Sequence, residues 1–268
     1  MAKVKARRRL QIPWRYVATA AMFVLLFMSV VFGVQQVEQF LIRDPRFVLT
    51  PPAEYGDESP NLKIEGVEYA SRPQVLRVFQ ADIGRSLFLF PLAERRNALR
   101  RIPWIKDASI IRTWPNHISV RVTERRPVAF VQLPAEHITR WSLIDSDGVI
   151  LEPPLRAPFK LPVITGVRPE EALAMRAVRV RRMKRMLDDL GPLRDKVSDV
   201  DVADLDDLKL TFKMGDRPLV LMMGDRNFRS RFQNLLDHYE EIQSRISYMA
   251  VLDLRLDDRI TVLGSKHD

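Results

Sequence analysis

Residues Tyr16 to Val37 form an uncharged run of 22 residues around the apolar stretch Met22 to Phe32. No other feature constrains the chain as much. As a helix the run would rise roughly 33 Å, enough to cross a hydrocarbon layer of about 30 Å. Trp14 and Tyr16 stand where an interfacial aromatic belt would hold one end. The other end, Val31-Phe32-Gly33-Val34-Gln35, lacks the small-residue A-x-A pattern of a leader cleavage site. The run therefore reads as a retained single-pass anchor, not a removed signal.

Charge gives the anchor a direction. Lys3, Lys5, Arg7, Arg8, Arg9 and Arg15 supply six positive charges, and no acid precedes Glu38. Removing them from the net charge of +9 leaves only +3 for the remaining residues. The basic excess thus sits beside the apolar run, where the positive-inside rule keeps it cytoplasmic. Nucleic-acid binding, which needs a basic surface elsewhere, is disfavoured. With 46% hydrophobic and 29% charged residues, the part beyond the anchor is expected to fold. The absence of cysteine removes disulfides, thiolate metal sites and a cysteine nucleophile.

Residues 1–15 are then a cytoplasmic tail, 16–37 the span and 38–61 a linker with Pro45, Pro51, Pro52, Gly56 and Pro60. A short strand is expected near 47–49. Leu62 to Glu65 alternates as a strand and stops at Gly66. Ser71 and Pro73 open a helix with Val75, Val78, Phe79 and Ile83 on one face, ended by Gly84. Pro91 opens a second, stopped by Pro103. Two alternating strands follow, 107–113 and 118–123, joined by a turn at Trp114-Pro115-Asn116. The order β-α-α-β-β over 62–124 is a small α+β domain.

A second domain, 125–264, reads as mostly antiparallel sheet with helices on one face, before a tail at 265–268. Strands are expected at 128–133, at a 141–151 hairpin around Asp147-Gly148, and at 200–202, 208–212 and 219–223. Two more, 249–256 and 259–263, meet at Asp257-Asp258. Leu161 to Gly166 reads as a short edge piece. Helical spacing marks Leu173 to Leu190, opened by Pro169 and capped by Gly191, and Phe228 to Ile242.

Several runs carry a resemblance. They are Ile64-Glu65-Gly66, Gly84-Arg85-Ser86-Leu87-Phe88, Ile102-Pro103-Trp104-Ile105-Lys106, Arg112-Thr113-Trp114-Pro115-Asn116 and Glu124-Arg125-Arg126-Pro127-Val128-Ala129. Leu143 to Val149, Leu161 to Gly166 and Asp253-Leu254-Arg255 follow in order. Together they resemble the bacterial cell-division protein family FtsQ/DivIB, whose first exported domain is a POTRA domain. Two departures are a longer segment between Phe47 and Leu62, and Leu256 where many members carry an aromatic.

The resemblance implies a non-enzymatic, bitopic scaffold of the inner membrane at the division septum. Its C-terminus would be periplasmic, and it would recruit the single-pass division proteins FtsB and FtsL. Further divisome contacts would run through the POTRA domain, with no cofactor and no small-molecule substrate. The implied partner-binding residues are Arg255, Leu256, Asp257, Ile260, Thr261, Val262, Leu263 and Gly264. The motif residues also have plainer uses. Pro103 and Trp104 can end a helix and fill a core, Gly66 and Gly84 can serve backbone geometry, and Arg112 can pair with Glu124 across a hairpin.

Two rival classes are a POTRA-bearing transport or outer-membrane assembly component and an anchored wall enzyme. The first needs a β-barrel of many strands, and residues 125–268 have too few. The second needs a catalytic constellation. His117, His137, His238 and His267 stand in no metal-ligand spacing, and there is no G-x-S-x-G, S-x-x-K or P-loop. The run Asp199, Asp201, Asp204, Asp206, Asp207 lacks the glycine and terminal glutamate of a calcium loop and reads as the solvent side of strands. The basic cluster Arg176, Arg179, Arg181, Arg182, Lys184 and Arg185 reads as a solvated helix face.

Overall fold

The computed structural model describes residues 14–53, 58–133, 140–154, 159–215, 217–244 and 250–263. Helix α1 spans Trp14–Arg43 and buries none of its residues. Its apolar window has a mean hydropathy of 2.5, long and apolar enough to cross a membrane. The helix does not stop with the uncharged run at Val37: six further residues, Glu38 to Arg43, continue it. The expected strand at 47–49 is absent. Pro45–Phe47 is a 3-10 turn whose Asp44 side chain accepts from the Arg46 N–H, and Val48 makes one isolated bridge to Ser86. Pro51 and Pro52, just downstream, cannot donate to a ladder, so pairing does not extend past Leu49.

The chain divides into two compact units. The first contains α1, strand β1 (Leu62–Glu65), α2 (Arg72–Phe79), α3 (Leu92–Arg100), most of β2 (Ile105–Thr113) and β3 (His117–Glu124). The sheet order is β1-β3-β2, with β1 parallel to β3. The alternation read from the sequence is the burial pattern: Ile118, Val120 and Val122 are buried, while Ser119, Arg121 and Thr123 are exposed. Helix α2 is shorter than its apolar spacing suggests. It ends at Phe79 and passes through a 3-10 turn, Gln80–Asp82, before Gly84. Gly66 lies at φ +81°, and a Cβ there would stand 2.2 Å from the Val122 carbonyl oxygen, so glycine is required.

The second unit is one nine-stranded sheet with two helices. In chain order its elements are β4 (Pro127–Leu133), β5 (Arg140–Asp145), β6 (Ile150–Leu151), β7 (Val163–Thr165), α4 (Leu173–Leu190), β8 (Val197–Asp201), β9 (Leu208–Met214), β10 (Arg217–Gly224), α5 (Phe228–Ile242), β11 (Ala250–Asp253) and β12 (Thr261–Leu263). The order across the sheet is β12-β11-β10-β9-β8-β7-β4-β5-β6. Five neighbouring pairs are antiparallel, while β10–β11, β7–β8 and β4–β7 are parallel.

One face carries the core. Leu208, Leu210, Phe212, Leu219, Leu221, Met223 and Leu252 meet Val180, Met183 and Met186 of α4 and Phe228, Phe232 and Leu235 of α5. Each such fully buried side chain contributes roughly 1.5–3 kcal/mol relative to exposure. The opposite face bears Lys209, Thr211, Asp199 and Asp201, as the two-residue period requires.

Two expectations are corrected. Leu161 to Gly166 is no edge: β7 lies inside the sheet, parallel to both β4 and β8. Helix α4 starts at Leu173, not Pro169, and Leu173 is exposed rather than part of the buried stripe.

Candidate functional site

Among the described residues of the second unit, β12 is the outer strand and pairs on one side only. Its register sets Thr261 opposite Asp253, Val262 opposite Leu252 and Leu263 opposite Val251. Ile260 and Val262 turn to the core side and pack against it, whereas Thr261 and Leu263 are exposed. An antiparallel edge strand sends alternate N–H and C=O groups outward without partners, so this border can accept another strand through its backbone. The other border is the two-residue β6.

The turn from β11 to β12 is held by two arginine networks. Arg255 donates to both oxygens of Asp253 at 2.9 and 2.7 Å and to Asp207 at 3.2 Å. The Arg255 backbone N–H also donates to Asp253, at 3.0 Å. The Arg255 guanidinium, through these hydrogen bonds, lowers the Asp253 carboxyl below its ordinary value. Arg231, buried on α5, donates from Nε to Asp257 at 2.8 Å and from Nη1 to the Met223 carbonyl at 2.7 Å. Its hydrogen bond likewise lowers Asp257, and Asn227 donates to the same carboxylate at 3.2 Å. Both aspartates thus stay ionised through the neutral range. Arg255 and Asp257 are exposed but held by ion pairs to Asp207 and Arg231, and Leu256 between them is exposed with no such tie. Gly264 lies outside the described residues.

Arg231 was not foreseen. Its signal was present: it falls three residues after Phe228 and beside Phe232, within the apolar stripe of α5. A buried arginine needs satisfied donors, and Met223 and Asp257 supply acceptors.

The other motif residues organise the fold. Buried Trp104 donates from Nε1 to the Glu152 carbonyl at 2.9 Å, and its own carbonyl accepts from the Arg125 N–H at 2.8 Å. Arg125 donates to Asp145 at 2.7 Å and to Asp147 at 3.0 Å, while Lys106 pairs with Asp147 at 3.1 Å. Asp145 also accepts from the N–H groups of Asp147 and Val149, which closes the hairpin turn. The I-P-W-I-K and E-R-x-P-V runs are therefore two halves of one hydrogen-bonded assembly.

Arg112 donates to the Leu87 and Phe88 carbonyls and stacks 5.1 Å from the Trp114 ring. The cross-strand pairing with Glu124 considered from sequence is not its arrangement. In the basic cluster of α4, Arg179 pairs with Glu171 at 2.7 Å and donates to the Val202 carbonyl, and Arg176 donates to the Pro169 carbonyl. Those two are structural rather than solvated. Arg181, Lys184 and Arg185 are exposed.

Among the described residues no group of three or more His, Asp or Glu is placed to hold a metal ion. Every carboxylate with a resolved shift is lowered by an arginine, lysine or backbone donor. A general acid near neutrality would need the opposite shift.

Fold and edge together define the class: an apolar N-terminal helix joined to a POTRA-type unit, followed by a sheet unit with an open border at the short strand β12. The comparisons with known proteins refine it. The model of the FtsQ-type POTRA domain matches residues 60–125, and that of the cell division protein FtsQ/DivIB C-terminal region matches 135–255. The cell division protein FtsQ of Koribacter versatilis is 35% identical over 217 residues, covering 79% of this chain and 61% of the relative. That of Novosphingobium aromaticivorans is 27% identical over 209 residues, covering 75% and 59%. That of Coxiella burnetii is 27% identical over 186 residues, covering 65% and 67%. The chain belongs to the FtsQ/DivIB family of bacterial cell division proteins. Its matched part spans about three fifths of the length of the first two relatives.

Proposed function

We propose that the protein is a non-enzymatic, single-pass scaffold of the division machinery in the cell inner membrane. In this reading residues 1–15 stay in the cytoplasm, and the POTRA unit (62–124) and sheet unit (125–264) stand in the periplasm at the septum. The partners are FtsB and FtsL, with the POTRA unit free for another divisome component. The basic excess before residue 16 supports the orientation, and family membership supports a division role.

The observation that carries the recruiting role is the border strand β12, paired on one side only among the described residues. A segment of FtsB would add to it as a further strand, with Thr261 and Leu263 giving side-chain selectivity. Leu256 offers an apolar contact at the adjacent turn. Arg255 and Asp257 act by holding that turn in place.

Proline substitutions test this reading. Of Thr261 and Val262, one sends its N–H outward and the other into the sheet. Thr261→Pro and Val262→Pro are each assayed for FtsB pull-down and thermal unfolding. One variant should stay folded and lose most of its partner binding. If both fold and both bind as wild type does, the capture site is not β12.

A further inference from the structure

The join between α1 and the rest of the first unit leaves very little distance. The uncharged run ends at Val37, and Leu41 lies four helical residues beyond it, roughly 6 Å along the axis. Ser86 donates from Oγ to the Leu41 carbonyl at 2.6 Å. Just past the helix, Leu49 is fully buried; its N–H donates to the Arg85 carbonyl at 3.0 Å, and its carbonyl accepts from the Gly84 N–H at 2.8 Å. Phe47 packs edge-on against Phe40 of α1 at 5.8 Å and against Trp114 at 5.6 Å. The folded unit is therefore fastened to the helix and not hung on a free linker. The polar layer of a bilayer is about 5–7 Å deep on each side of the hydrocarbon. If the uncharged run fills the hydrocarbon, Ser86 and its neighbours stand within that layer.

The side chains presented there match it. Leu89 is 58% exposed, Trp114 46% and Ile42 37%. Ile42 and Leu89 wall a groove of about 400 Å³ whose lining includes Gly84, Arg85 and Ser86. Scattered exposed apolar residues need no explanation, but these lie at the helix exit alongside cations. Neither Arg43 nor Arg85 has an ion-pair partner among the described residues, and Arg112 lies over the Trp114 ring. Aromatic rings and arginines with apolar stems are the side chains that settle at a headgroup boundary.

We infer that this collar (Ile42, Arg43, Arg85, Leu89 and Trp114) is a docking surface for the phospholipid headgroup layer. Ile42, Leu89 and Trp114 face the acyl boundary, and the arginines donate to lipid phosphates. The rest of the first unit then lies on the membrane surface at a set height. This rests on the reading of α1 as a membrane span.

The chain has no cysteine, so a single introduced cysteine takes a spin label uniquely. Val24→Cys, Leu89→Cys and Arg121→Cys are made in the full chain and reconstituted into phosphatidylcholine–phosphatidylglycerol vesicles. Each label is probed for accessibility to oxygen, which concentrates in the bilayer, and to a water-soluble nickel chelate. Arg121 is exposed and lies four residues, roughly 13 Å, along β3 from its start at His117. The label at 24 should read deep, that at 89 intermediate, and that at 121 aqueous. A deep reading at 24 with 89 as aqueous as 121 overturns the docking surface and leaves the anchor standing. An aqueous reading at 24 overturns the anchor itself, and the docking surface with it.

Discussion

Trp104 and Trp114 occupy equally prominent motifs, yet only the first is buried; the second is nearly half exposed. Trp104→Ala removes a ring from a packed site together with its hydrogen bond to Glu152, and should cost about 3–5 kcal/mol. Trp114→Ala loses edge contacts to Phe47 and the stacked Arg112, and should cost about 1 kcal/mol. Chemical denaturation of the full chain in detergent checks both. Asp253 adds a pH dependence. Its folded carboxyl titrates below the ordinary value of 3.8 because Arg255 binds the charged form. Its contribution is present above that value and fades as pH falls through the lower, folded one. Asp253→Asn should therefore be less stable than wild type at neutral pH and lose part of the acid sensitivity, as read by thermal unfolding across pH. At this scale the sequence was informative about which positions matter and poor about why. Trp104, Arg112 and Arg125 stood out in motifs, but their side-chain hydrogen-bond partners lie 20 to 48 residues away along the chain. Spacing within a run cannot reveal such pairings.

Elements were most legible where one face is wet. β3 and β9 alternate because one side meets the core and the other water, and α5 shows its stripe for the same reason. The signal failed for β7, which has neighbours on both sides and only three residues, so its position in the sheet left no local trace. It fails at α1 too, where the charged residues from Glu38 end only the apolar part and the helix runs on to Arg43. Gly166, just past β7, shows how tightly that interior strand is held. It sits at φ +81°, and a Cβ there would come within 2.3 Å of the Ala203 backbone nitrogen. Gly166→Ala should lose more than about 1 kcal/mol, from the strained backbone alone. The clash adds to that loss, read as a lowered denaturation midpoint with unchanged slope.

For the molecule as a whole, the fold class followed from the order of elements, since β-α-α-β-β and a sheet closed by two amphipathic helices leave few alternatives. The sheet order β12-β11-β10 makes β12 a border strand among the described residues. The central claim is that this border captures a strand from another single-pass division protein. In-cell photo-crosslinking tests it most directly, with a crosslinking amino acid placed in turn at Thr261, Val262 and Leu263 on β12, at the exposed Glu152 just past β6 on the opposite border, and at Gln233 on the exposed side of α5. The account predicts FtsB adducts from β12, strongest at the exposed Thr261 and Leu263, and none from Glu152 or Gln233. FtsB adducts from Gln233 or Glu152, with none from any β12 position, would contradict it.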